Sequence, residues 1–259
     1  MAESTIGELL RGWRQRRKLS QLDLAIAAEV SARHVSFVET GRTLPSKPML
    51  LRLADALGVP LRERNRLLVA AGYAPAYRAR PLDDPDLATA RAALQQVLDG
   101  LGPNPALVLD SGWNLLIANR AAGIFFDDVA PELLEPRINM MRLGLHPQGF
   151  APRLQNLAEV RSFLLPRLAR QAQHTGDPAL TALHQELLSY GEPPAAVDPD
   201  PADILLPIRL RHRGHDLSLF STITSFGAPF DVTLEELAIE SYFPADETTT
   251  KALAELAGH

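Results

Sequence analysis

Apolar residues recur at helical spacing through the first 72 positions. Ile6, Leu9, Leu10 and Trp13 share one side of a segment that Thr5 is placed to cap. Ser20 opens a second helix and Ser31 a third, which ends at Thr40-Gly41, where glycine accepts a left-handed backbone. Pro45-Ser46 introduces a fourth helix, with Met49, Leu50, Leu53, Ala54 and Leu57 apolar and Gly58 at its end. Pro60 opens a fifth, which stops at Gly72. Five helices in this length predict an all-α bundle over 1–76. Residues 77–86 overlap the stretch Tyr73–Pro85, YAPAYRARPLDDP, which is Pro-rich and without periodicity, so they read as a linker.

From 87 to 259 the pattern changes. Leu87 to Leu101 predicts an amphipathic helix that Gly102-Pro103 ends. Ala106 to Asp110 and Trp113 to Ala118 read as strands around a Ser111-Gly112 turn, and Asn119 caps a helix after them. Strand, turn, strand and Asn-capped helix open a PAS-like sensor domain. Residues 124–195 predict mostly helix, with Leu154 to His174 and Leu180 to Tyr190 the clearest runs. Ile204 to His212, Asp216 to Thr224 and Leu237 to Phe243 predict three more strands, the first two joined at Arg213-Gly214. The fold class expected is a five-helix all-α domain followed by an α+β PAS-like domain with an antiparallel sheet.

Charge sharpens the division. Residues 1–80 hold 14 Lys/Arg against 7 Asp/Glu, and residues 81–259 hold 12 against 24. The basic part can neutralise phosphates and the acidic part avoids them. The third helix fits that charge. Ala32, Arg33, Ser36 and Phe37 line one side of it, while Val35 and Val38 point the other way, toward Leu22, Ala25 and Ala28 of the second helix. A helix held from behind by valines, with Arg and small polar groups in front, suits the DNA major groove. Arg33 is the candidate for a bidentate contact to guanine, with Ala32 and Phe37 against thymine methyls and His34 and Ser36 at the flanks. Gln21, Ser31, Arg42 and Thr43 are placed for backbone contacts, and Arg14, Arg16, Arg17 and Lys18 are further candidates for phosphate.

These residues resemble a known family. Ser20, Gln21, Leu24 and Ala25, then Val30, Ser31, Ser36, Glu39, Gly41 and Arg42, are similar to the lambda-repressor-like (XRE-type) helix-turn-helix. The longer strings RHVSFVETGRTLPS, LRLADALGVPLRERNRLLVAAGYAPAY and FSTITSFGAPFDVTLEELAIESYFPADETT resemble the MmyB-like transcription regulators. The likeness runs from about residue 5 to 255, with Ala228 as a departure where a small polar residue is expected. It implies a PAS-like second domain that takes an apolar or fatty-acid-like effector.

Chemistry of other kinds finds little purchase. No G-x-S-x-G, P-loop or G-x-G-x-x-G occurs, so no enzyme is expected. The absence of cysteine removes disulfides and thiolate metal sites. His212 and His215 flank a turn without a third ligand, and Asp198, Asp200 and Asp203 lack the glycine and glutamate of a calcium loop. Neither a metal nor a cofactor is expected. His146-Pro147 reads as structural. No apolar run approaches the ~18 residues that span a bilayer, and residues 1–17 lack the pattern of a signal peptide, so a cytoplasmic protein is expected.

A cavity in the second domain is the remaining candidate. Phe126, Met140, Met141, Phe163, Phe220 and Phe226 are proposed to line it, together with Phe125, Leu143 and Leu145. Asn119, Asn139 and Arg153, or else Arg142 or Asn156, are candidate donors to a headgroup. The expected partners are double-stranded DNA bearing a palindromic operator, a small apolar effector and a second copy of the chain. Two alternatives stay open: an interaction module without a ligand, and an enzyme that uses the helical domain for targeting.

Overall fold

A computed structural model of the chain describes residues 5–192, 207–227 and 229–257. Ala228, the Asp198–Asp203 cluster and the first residues of the strand expected from Ile204 lie outside them. The chain forms two compact units, one from Met1–Leu82 with Gly227–Glu235, the other from Asp83–Phe226 with Glu236–His259.

The first unit contains α1 (Ile6–Arg16), α2 (Gln21–Ala27), α3 (Ala32–Glu39), α4 (Lys47–Ala56) and α5 (Leu61–Ala70). Local chemistry sets their starts. Thr5 and Glu8 form a reciprocal capping box on α1, and Ser20 and Asp23 form another on α2. The Ser31 hydroxyl accepts from the His34 amide at the start of α3. Trp13, Leu10, Leu24, Leu50, Leu53, Leu67 and Leu68 meet in one buried core, each contributing about 1.5–3 kcal/mol by leaving water.

Leu22 does not join that core; it is 59% exposed. The buried stripe of α2 is Leu24, Ala25 and Ala28, and a residue two positions before Leu24 falls about 200° around the helix, on the solvent side. Gly7 marks a close approach of two helices. A Cβ there would stand 2.6 Å from the Glu39 carbonyl oxygen and 2.8 Å from that of Val38. Only a bare Cα lets α1 lie this close to the end of α3.

The second unit begins with α6 (Ala88–Gly100) and is built on an antiparallel sheet. Its strands are β1 (Ala106–Leu109), β2 (Leu115–Ala118), β3 (Ile208–His212), β4 (His215–Thr224) and β5 (Ala238–Pro244), in the order β2-β1-β5-β4-β3. The β3–β4 turn carries Arg213 at φ 44° and Gly214 at φ 84°, the positive dihedrals of a two-residue hairpin. Asn119 caps a 3-10 helix, Arg120–Phe125, directly after β2. Helices α7 (Met140–Leu145), α8 (Leu157–Thr175), α9 (Pro178–Leu188) and α11 (Glu247–Ala257) complete the unit, while the short α10 (Val232–Glu236), which follows β4 in the chain, belongs as far as Glu235 to the first unit.

Register fixes which side chains share a face. Ser221 lies opposite Tyr242, Ile223 opposite Glu240, and Leu107 opposite Glu240 on the other side of β5. Leu107, Leu217, Leu219, Ser221, Glu240 and Tyr242 therefore look the same way. No helix among the described residues is long and apolar enough to cross a membrane.

Candidate nucleic-acid interface and apolar cavity

The exposed face of α3 rests on a buried ion pair. Glu39 accepts from Arg14 Nε at 2.6 Å and Nη2 at 2.9 Å, and from Gln21 Nε2 at 2.9 Å. One carboxylate thereby joins α1, α2 and α3. Burial pushes the Glu39 carboxyl up, but the hydrogen bonds from Arg14 and Gln21 and the charges of Arg14 and Arg11 outweigh it and hold the group below its ordinary value. Val35 and Val38 are buried behind the helix.

Arg33 is exposed, and Ala32, His34, Ser36 and Phe37 are half-buried. The guanidinium carbon of Arg33 stands 5.0 Å from the centroid of the Phe37 ring, and that of Arg42 stands 5.7 Å from it. Such contacts contribute about 0.5–1 kcal/mol at exposed sites, enough to bias both cations toward this face. The end of α3 folds back by a Schellman motif. Gly41, at φ 71°, donates to the Val38 carbonyl and Arg42 donates to that of Phe37. Thr43 donates to the same Phe37 oxygen, at 3.2 Å. Arg42 and Thr43 are thus fixed beside Phe37, and Ser31 caps the other end.

Four of the candidates for backbone contact also bond or stack within the protein. Arg14 binds Glu39 and the Leu19 carbonyl. Arg17 donates to the carbonyls of Leu57 and Gly58. Arg16 stacks on Trp13, 4.1 Å from its ring. Gln21 directs its amide at Glu39.

In the second unit an apolar cavity of about 160 Å³ opens between the sheet and α7–α8. Met140, Met141, Gly144 and Leu145 of α7 form one wall, and Val160, Phe163, Leu164 and Arg167 of α8 another. Phe220, Ser221, Glu240 and Tyr242 line it from the sheet, with Trp113 and Phe150 between. Phe163 is 50% exposed while lining the cavity, so it stands at the mouth.

The surrounding polar groups build this wall. Asn139 caps α7 and donates to the Gly112 carbonyl at 2.8 Å, while the Met140 amide donates to the Trp113 carbonyl at 2.9 Å. Trp113 sits at φ 66°, with its indole N–H on Gln171 Oε1 at 2.8 Å and the Arg167 guanidinium 4.8 Å from its ring centroid. A Cβ at Gly149 would fall 2.0 Å from the Leu143 carbonyl oxygen; the bare backbone lets the chain turn there and seat Phe150.

The cavity collects Met140, Met141, Phe163 and Phe220 of the residues expected from sequence, and Leu145 with them. Asn119, Phe126, Asn139, Arg153 and Phe226 are not among its lining residues. Asn119 binds the Ala106 amide and the Asn104 carbonyl. Arg153 donates to the Ile124 and Phe125 carbonyls and lies 3.2 Å from His212 Nδ1. Arg142 holds Glu186 with two bonds, at 2.6 and 2.8 Å, and Asn156 binds Glu159, Pro207 and Arg209. These donors are engaged with the protein itself.

The polar groups that do reach the cavity are Arg167, Ser221, Glu240 and Tyr242. Sequence reasoning passed over all four as cavity residues. Burial raises the Glu240 carboxyl above its ordinary value, against hydrogen bonds to Ser221 and Tyr242 and the charge of Arg167. Burial and the neighbouring Glu240 push the Tyr242 hydroxyl well up. A larger pocket of about 370 Å³, edged by Arg120, Asp127, His212 and Arg213, is more polar and suits an apolar molecule less. His146 accepts from the Gln148 amide through Nδ1 and packs edge-on against Tyr190, a structural placement.

Residues 90–256 match the family model of the MmyB-like transcription regulator ligand binding domain, and residues 5–67 match a helix-turn-helix domain. An HTH-type transcriptional regulator of Mycobacterium tuberculosis is 33% identical over 112 residues, 43% of this chain and 37% of its own length. Its counterpart in Mycobacterium bovis gives the same figures. Multiprotein-bridging factor 1 of Candida albicans is 34% identical over 61 residues, 24% of this chain and 40% of its own length. In each case the match spans less than half of the relative.

Proposed function

The chain belongs to the MmyB-like transcription regulators, and on that premise we propose a sequence-specific regulator whose first unit reads an operator and whose second unit holds a small apolar effector. The observation that carries the first part is the face of α3. Arg33 is exposed beside Ser36 and Phe37, and the helix is fixed from behind by two valines and the Arg14–Glu39–Gln21 cluster. Arg33 reads a guanine, Ala32 and Phe37 meet thymine methyls, His34 and Ser36 flank them, and Ser31, Arg42 and Thr43 contact the backbone. Two copies bind half-sites about 34 Å apart or a multiple of that.

The cavity, walled largely by Met, Leu and Phe, supports the second part. Its volume, about 160 Å³, is near the ~150 Å³ at which an apolar cavity accepts benzene. The body of the effector is therefore compact, and a longer chain leaves past Phe163. The strands that line it are joined through Gly227–Glu235, which belongs to the first unit and bonds to Leu61, Arg78 and Arg80 there. An effector acts through such a connection by binding one arrangement of the chain better than another. The opening order of strand, turn, strand and Asn-capped helix supports the PAS-like reading.

Genome-wide mapping of bound DNA, followed by binding assays on the operator it yields, tests the proposal. Arg33→Ala should lose about 1–3 kcal/mol on that operator and relax one base position. An equal loss on every sequence would remove the base-reading role.

A further inference from the structure

The larger pocket of the second unit carries a donor that the protein leaves unused. About 370 Å³ lies open between the 3-10 helix Arg120–Phe125, the β3–β4 turn and the end of α11. His212 lines it with a side chain 3% exposed. Arg153 Nη1, which can only donate, stands 3.2 Å from His212 Nδ1, so Nδ1 accepts and carries no proton. Burial lowers the imidazole, and Arg153 and Arg213 lower it further, against the pull of Asp127 and Asp128, which favours the neutral ring. The ring proton therefore sits on Nε2. Asp127 Oδ2 stands 3.7 Å from that nitrogen, beyond hydrogen-bond reach, and is held by Arg213 Nη2 at 2.8 Å. No other acceptor among the described residues reaches it.

A buried N–H is expensive to leave without an acceptor. The surrounding charge says what that acceptor carries. Arg120 lines the same pocket, is exposed, and makes no ion pair among the described residues. The guanidiniums of Arg120, Arg153 and Arg213 outnumber the carboxylates of Asp127 and Asp128 around His212. A metal ion would need the Nε2 position that the proton holds, and would face those guanidiniums. Much of the remaining wall is apolar, from Pro103, Ile124, Leu253 and Leu256. We propose that this pocket, separate from the cavity between the sheet and α7–α8, is a second binding site, for a small organic acid. An oxyanion of the ligand accepts from His212 Nε2 and from the Arg120 guanidinium, a charge-assisted pair of bonds. Its apolar body packs on Ile124, Leu253 and Leu256. The volume, about 370 Å³, is more than twice the ~150 Å³ that takes benzene, so two fused rings have room.

Naphthalene-2-carboxylate, 2-naphthyl phosphate, 2-naphthylmethanol and 2-naphthylmethylamine share one body and differ in the group offered to His212. Each is titrated into the full-length protein near neutral pH by calorimetry. At least one anion should bind about tenfold or more tighter than the alcohol, a difference of about 1.4 kcal/mol, with the amine weakest. The order of the two anions tells a carboxylate ligand from a phosphate one. Arg120→Gln should weaken the preferred anion about tenfold and leave the alcohol within about twofold. The ligand-free variant should melt with the parent, because that side chain pairs with nothing among the described residues. Arg120→Lys keeps the charge and should bind the anion more tightly than Arg120→Gln. The His212 Nε2–H resonance of nitrogen-labelled protein should move when the anion is added. Phe163→Ala, at the mouth of the other cavity, should leave anion binding within about twofold. Equal binding of anion and alcohol, tightest binding of the amine, or a loss on Phe163→Ala as large as on Arg120→Gln would each overturn the inference. So would an unmoved His212 resonance, or binding of none of the four probes.

Discussion

Glu39 is the point at which α1, α2 and α3 are most exposed to a single change. Replacing it with alanine removes three hydrogen bonds, at 2.6, 2.9 and 2.9 Å, and leaves the Arg14 guanidinium, 12% exposed, facing an emptied site. Breaking a fully buried pair from one side costs about 3–5 kcal/mol. Arg14 keeps its bond to the Leu19 carbonyl and some contact with water, so about 2–3 kcal/mol is expected here. For a unit of this size each kcal/mol shifts the midpoint by roughly 4–8 °C, giving about 10–20 °C. Trp13 is buried in the same core. Its fluorescence during urea unfolding, in a Trp113→Phe background, therefore reports on the first unit. A double-mutant cycle with Arg14→Met should return a coupling of about 1–3 kcal/mol. The pH dependence has a definite sign. The folded carboxyl titrates below the ordinary 4.5, so its stabilisation is complete above that value and is lost as pH falls through the lower, folded one. A change under about 0.5 kcal/mol for Glu39→Ala, or a coupling near zero, would refute the view that this cluster holds α3 in place.

Gly7→Ala forces a methyl group against the backbone oxygens of Glu39 and Val38, at 2.6 and 2.8 Å. It should cost about 1–3 kcal/mol or more in the same urea assay; a neutral result would mean that α1 shifts freely against α3. His212 is 3% exposed, and burial lowers its imidazole below the ordinary 6.5 against the pull of Asp127. The unfolded chain takes up the proton first, so this group's contribution to stability is present above 6.5 and falls as pH drops toward the folded value. An NMR titration of its Cε1 proton should give a midpoint below 6.5, and a midpoint at or above 6.5 would reject the assignment.

The first unit was readable because its information is local. Thr5, Ser20 and Ser31 announce helix starts through bonds spanning three residues, and Gly41 and Gly58 mark ends through their own dihedrals. Period and caps agree there, as they do in a minimally frustrated sequence. The sheet was readable for a related reason, since hairpin turns such as Arg213-Gly214 leave a signature in two residues. Membership of Gly227–Glu235 in the first unit has no local mark. It rests on Thr233 bonding to Arg80, 153 positions away, and on Glu235 accepting from Leu61, 174 positions away. Leu22 fails in the opposite sense: its composition suggested burial, and the phase of α2 sends it to solvent.

The cavity divides along the same line. Met140, Met141, Phe163 and Phe220 were open to expectation because an adaptable apolar side chain in a domain of this kind commonly meets its core. The asparagines expected as polar partners bond within the protein. Asn119 and Asn139 precede helices, and an asparagine there satisfies backbone amides before it can serve a ligand. Glu240 was hidden by its neighbours. In AIESYFP a lone charge reads as the solvent side of an alternating strand, yet Ile239, Glu240, Ser241 and Tyr242 are all buried. Alternation separates a wet face from a dry one when a single face is covered, and β5 is central with both faces covered. A charge on such a strand has no edge through which to reach water. Here its surroundings are the Ser221 and Tyr242 hydroxyls, the charge of Arg167 and the wall of a cavity.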